Sequence, residues 1–125
     1  MIEKSKDFRR IKNVFDGPIN IGGHYLIETE DGKDLGAWGF YPIDDGLEVH
    51  VTLSPECRGR KAAQSARNAF NWIWKNTDSS VIYAAIPFDK KPVMMLANLV
   101  GFNFIFSNEQ NRCYKLERSV NCEAV

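Results

Sequence analysis

The stretch "VTLSPECRGRKAAQSARNAFNWIW", Val51–Trp74, decides the fold. It begins inside an alternating strand, with Leu47, Val49, Val51 and Leu53 on one face and Glu48, His50 and Thr52 on the other. Pro55 ends that strand. Ala63, Ala66, Phe70, Ile73 and Trp74 then recur at three- and four-residue intervals, the core-facing stripe of a helix that should end near "KNTDSS". The connection carries Arg58, Gly59, Arg60 and Lys61. A helix entered from a strand end presents unpaired backbone N–H groups and the positive end of its macrodipole, which suits a phosphate. Exposed cations beside that end cost about 0.3–1 kcal/mol each, and a bound anion relieves them. Gly59, with the small Ala62 and Ala63, lets a ligand approach the backbone. A solvated first turn with incidental basic residues accounts for the same composition.

Working outward, "VIYAAI" reads as a short buried strand, so strand, helix and strand form a parallel unit with a right-handed crossover. Upstream, "HYLIETE", "LGAWGFY" and "GLEVHVTL" are separated by "DGKD" and "DDG", an antiparallel meander of three strands. Phe8, Ile11, Val14 and Phe15 give a short amphipathic helix that "DGPI" stops. Downstream, Val93 to Val100 reads as a helix closed by Gly101, followed by the strands "FNFIF" and "RCYKLE". The order is α-β-β-β-α-β-α-β-β. This is an α/β (α+β) chain with a mixed, mainly antiparallel sheet, a central strand-loop-helix and flanking helices. A single domain is expected over residues 1–125, with a frayed tail after about residue 118.

Composition narrows the function. Sixteen basic and sixteen acidic residues cancel, which removes any general electrostatic case for nucleic acid or an anionic membrane. No apolar run is long enough to span a bilayer, and "MIEKSKDFRR" lacks the apolar stretch of a signal peptide, so a soluble, cytoplasmic protein is expected. Cys57, Cys113 and Cys122 are scattered and odd in number, which fits reduced thiols. With only His24 and His50 beside them, no metal-ligand spacing is recognisable.

The loop resembles the coenzyme loop of the GCN5-related N-acetyltransferase superfamily, whose motif has the form Gln/Arg-x-x-Gly-x-Gly/Ala. Here "RGRKAA" stands in that place after "SPEC", with Arg58 at the first position and Ala63 at the last. Lys61 replaces the usual glycine. "MMLANLVGF" is similar to the family's short helix running into Gly-Phe, so the resemblance spans about Gly23 to Leu116. It implies acetyl-CoA as cofactor, held by Leu53, Arg58, Gly59, Arg60, Lys61, Ala62 and Ala63. Lys90 or Lys91 of "PFDKKP" could also meet its phosphates, although the family's asparagine is missing there.

Acetyl transfer to an amine needs a base for the amine and a proton for the departing thiolate. Glu48 and His50, on the polar face of the strand entering the loop, are the candidate catalytic residues. An imidazole titrates near neutrality unaided, whereas a carboxylate needs desolvation to do so. Both also read as polar groups on a solvated sheet face. Where the family often has a tyrosine before Gly-Phe, this chain has Ala97, and water could serve instead. Trp38, Phe40 and Tyr41 suit either an acceptor groove or the core, and Trp72 stands off the helix stripe where a partner could meet it. Two functions follow from the resemblance. One is an N-acetyltransferase acting on an unknown amine. The other is a non-catalytic binding or assembly protein, such as a small phage-encoded particle-assembly factor, with a vestigial coenzyme cleft. A homo-oligomer or an assembly partner stays open.

Overall fold

The computed structural model describes residues 1–118. The elements are β1 (Ile2–Lys4), α1 (Phe8–Val14), β2 (His24–Glu30), β3 (Lys33–Ile43), β4 (Gly46–Leu53), α2 (Arg60–Asn76), β5 (Val81–Pro87), α3 (Lys91–Leu99), β6 (Asn103–Ser107) and β7 (Asn111–Glu117). The expected frayed tail, and Cys122 with it, lie outside the described residues.

All of these strands join one sheet in the order β1-β2-β3-β4-β5-β7-β6, antiparallel except between β4 and β5. The mixed sheet expected from the sequence is therefore present, with the parallel pair on either side of α2. The strand β1 was not expected. "IEK" is too short to carry periodicity, and it forms because its main chain pairs with Leu26–Glu28 of β2. The third helix starts at Lys91, two residues earlier than the apolar run, because Pro92 fits the first helical turn.

Each face of the sheet has its own core. Ala66, Ala69, Phe70 and Ile73 of α2 pack on Trp38, Phe40, Leu47, Ile82 and Ala84. Ile11 of α1 and Phe15 pack on Tyr25, Ile27, Ala37 and Tyr41 from the opposite side. Trp38, Phe40 and Tyr41 are thus core residues, and of the three only Trp38 also reaches the cleft between β4 and β5. Trp72 is half-buried against the His24 ring, with Lys4 Nζ 5.3 Å from its centroid, so it closes the β1 edge of the molecule. The buried Trp38 indole donates to Ser65 Oγ at 2.9 Å, tying β3 to α2.

Local chemistry sets the helix ends. Asp7 caps α1, its carboxylate accepting from the Arg9 and Arg10 amides at 3.1 and 3.2 Å. At the end of α3, Gly101 adopts φ 104° and the Phe102 amide returns to the Ala97 carbonyl at 2.9 Å. The Gly-Phe pair is therefore a helix stop that delivers the Phe102 ring to Phe70, 5.4 Å between centroids.

Candidate active site

β4 and β5 pair only at Leu47↔Ile82 and Glu48↔Tyr83. Beyond those pairs β4 follows β3 as far as Leu53, and β5 follows β7 as far as Pro87, so the two parallel strands part. The gap is an open cleft of about 530 Å³, a size typical of small-molecule sites.

Alternation along the strands divides its lining between the two faces of the sheet. Toward α2 and α3 the wall is apolar, built from Val49, Val51, Ala84, Ile86, Phe70 and Ala97. Toward α1 it carries His50, Thr52, Ala85 and Pro87, with Phe15, Asp16 and Gly17 from the segment after α1. The cleft therefore runs through the sheet and opens on both sides.

Glu48 and His50 come together on the α1 side. His50 Nε2 and Glu48 Oε1 are 2.8 Å apart, and both side chains keep about 40% of their surface exposed, at 39% and 40%. The His50 ring also meets the edge of Tyr41, 5.0 Å between centroids. Gly39 lies directly across from His50 in β3, where a Cβ would come within 2.8 Å of the Phe15 ring. Only glycine leaves room there for Phe15 to reach the cleft. The next segment is pinned by the Asp16 amide, which donates to Thr52 Oγ1 at 3.0 Å.

No tyrosine lines the cleft. The Tyr41 hydroxyl donates to the Pro18 carbonyl, and burial, with Tyr25 and Glu48 adding to it, pushes its pKa far up. The Tyr83 hydroxyl donates to Asp45 at 2.7 Å, a bond that raises its pKa. Tyr114 accepts from Arg112 Nε at 3.0 Å, and Tyr25 accepts from the Asn20 amide at 2.6 Å. Ala97, at the expected tyrosine position, contributes a methyl group to the wall.

Beyond Thr52 the chain passes through Ser54–Gly59 into α2. Gly59 takes the position before the helix with φ 58°, ψ −122° and supplies no side-chain cap. Nothing lies within 4 Å of a Cβ built there, so glycine is required by conformation and not by space. The Lys61 amide bonds to the Arg58 carbonyl and the Ala63 amide to the Gly59 carbonyl, while the Arg60 and Ala62 amides have no partner among the described residues. Ser54 Oγ is buried and also without a partner. Arg58 and Arg60 are exposed and form no ion pair among the described residues.

The remaining loop residues divide by orientation. Ala62 and Ala63 point into the core, at 8% and 3% exposure, so only their main chain could meet a ligand. Leu53 is half-buried against the α2-side core. Lys61 points to the β2–β3 turn, where Nζ lies 3.0 and 3.2 Å from the Glu30 carboxylate. That hydrogen bond raises the Lys61 pKa. A second ion pair, Lys33 with Glu56 at 2.6 Å, joins the same turn to the same loop. Lys90 lines the cleft and Lys91 does not.

Sequence reading missed Asp16, Thr52, Ser54 and the β5 wall. Asp16 stood in "DGPI" only as a helix stop, and its partner Thr52 lies 36 residues away. No local pattern reports such a contact.

A mixed sheet whose two central parallel strands part beside a bare helix start defines the GCN5-related N-acetyltransferase fold, and this chain has it. Solved structures of similar fold include the Campylobacter jejuni N-acetyltransferase PseH in complex with acetyl coenzyme A, with TM-score 0.70 and 13% identity over 80% of this chain and 71% of that one. Mutant forms of the spermidine/spermine N-acetyltransferase SpeG from Vibrio cholerae give TM-score 0.77 and 13% identity over 99% of this chain and 98% of that one. SpeG in complex with CoA and spermine gives 0.64 and 14% over 78% and 67%. Neither a family model nor a curated protein matches the chain.

Proposed function

We propose that the protein is an acetyl-CoA-dependent N-acetyltransferase acting on an amine, as a single domain and in the cytoplasm. The observation that carries this reading is the cleft through the sheet, with the His50–Glu48 pair on one side and a helix start with unpaired amides at its end. The residues present fit the coenzyme. On the β5 side of β4, the main chain beyond Glu48 has no strand partner and is free to pair with an extended ligand. The Arg60 and Ala62 amides, Ser54 Oγ, Arg58 and Arg60 offer donors and positive charge for phosphates.

When bound, acetyl-CoA supplies an acyl thioester open to attack by an amine. Glu48 accepts the Nε2–H of His50, which fixes the tautomer and leaves Nδ1 with a lone pair. Nδ1 is then the chain's proton acceptor for an amine entering from the α1 side. With no tyrosine at hand, the proton needed by the leaving thiolate comes from His50 or from water.

Ala97, the Lys61–Glu30 pair and the uncovered apolar strand β6 support the second reading, a non-catalytic assembly module, phage-encoded or otherwise. A thermal-shift titration with acetyl-CoA and desulfo-CoA separates the two. A ligand bound only by the folded protein adds about 2.7 kcal/mol at 100 times its Kd, and both compounds should raise Tm. Mass spectrometry of an amine panel should then show acetylated product. No shift at millimolar ligand would leave the assembly module standing.

A further inference from the structure

We infer that Asp16 selects the acceptor, and that the acceptor carries a second positive charge a short spacer away from its reacting amine. The inference rests on reading the cleft as an acetyltransferase site. Three side chains that can carry charge line this cleft: His50, Asp16 and Lys90. His50 is engaged by Glu48. Asp16 lies on the α1 side with His50, and its carboxylate has no ion pair or hydrogen bond among the described residues.

The main chain at Asp16 is anchored. Its amide bonds to Thr52 Oγ1, and Thr52 follows His50 by two residues on the same face of β4. Two residues of strand span roughly 7 Å, so the main chain of Asp16 is anchored about that far along the cleft from His50, and its exposed carboxylate can turn toward a ligand there. An acceptor whose amine reaches His50 Nδ1 therefore places a group three to five bonds away near Asp16. An ammonium or guanidinium there is attracted, and a carboxylate is repelled.

The probes are 1,4-diaminobutane, n-butylamine and 4-aminobutyrate, titrated calorimetrically into the protein with and without desulfo-CoA and assayed for acetylation with acetyl-CoA. The parent should favour the diamine over butylamine by about two- to fivefold, the factor one exposed ion pair supplies. In Asp16→Asn that ratio should fall to about one, and in Asp16→Lys the preference should pass to 4-aminobutyrate. Both variants should fold, because the bond to Thr52 is made by the main chain and the side chain is exposed. Acetylation of amines with a diamine preference equal in parent and Asp16→Asn, or with none in the parent, overturns the inference and leaves the transferase reading intact. Diamine binding that depends on Asp16 without acetylation of any amine overturns the acceptor role together with the transferase reading, and leaves Asp16 a cation-binding group only. No diamine binding in any condition overturns the inference as well.

Discussion

At the level of single residues, the two ring nitrogens of His50 have different fates. Nε2 faces Glu48 and Nδ1 does not, so in the proposed transferase Nδ1 would meet the acceptor and Glu48 would act through the imidazole as a positioning residue. His50→Gln should lower kcat by about 10²–10⁴, with coenzyme Kd within about twofold of the parent. Glu48→Gln should cost less, about tenfold, because the ring loses the partner that fixes its tautomer. The converse, an unchanged kcat in His50→Gln and the large loss in Glu48→Gln, would make Glu48 the base. Ser65 tests the opposite face. Its hydroxyl receives the buried Trp38 indole at 2.9 Å, so Ser65→Ala strands a buried donor at a cost of about 1–3 kcal/mol. Chemical denaturation should show that loss with no change in the slope of the transition.

At the level of elements, legibility followed the range of the contact that builds each one. β4 and α2 were readable because the alternation of the one and the helical stripe of the other face a core, while β2, buried on both faces, was placed by the turn signal that follows it. β1 was not, since it exists only as a partner of β2. The β4–β5 gap was hidden as well. Its cause is that β3 and β7 keep hold of their neighbours after the inner pairing ends, a relation between four strands. The loop motif was legible as a pattern but not as an orientation, for Lys61 turns to Glu30 and Ala63 into the core. Gly59 is the residue on which the element depends. At φ 58°, ψ −122° an alanine is strained by about 1–3 kcal/mol, so Gly59→Ala should lower Tm by about 4–10 °C and weaken acetyl-CoA binding through the displaced helix start. Lys61→Ala removes only an exposed ion pair and should leave Tm within experimental error. Equal thermal effects from the two substitutions would show that the backbone conformation at Gly59 is not what holds the loop.

For the whole molecule, the α1 side of the cleft depends on how α1 is held, because Phe15, Asp16 and Gly17 follow directly from that helix. Arg10 is the tie. Its Nε and Nη2 donate to the Asp34 carboxylate of β3 at 2.8 and 2.9 Å, and Nη1 donates to Glu3 of β1 at 3.0 Å. The Arg10 bond holds the Asp34 carboxyl below the usual range, against a smaller upward push from burial. A carboxyl whose pKa is lower folded than unfolded contributes stability that is complete above the unfolded value, about 3.9, and is lost as pH falls through the folded value. Asp34→Asn should therefore destabilise the protein at pH 7 by about 1 kcal/mol, a figure kept small because both side chains are about a quarter to a third exposed, at 26% and 30%. Urea denaturation from pH 7 down to pH 2 should show parent and variant converging in the acid range, with the gap constant above about pH 5. A gap that persists at pH 2 would place the loss in packing at position 34, and α1 would then be held by the Ile11 and Phe15 core alone.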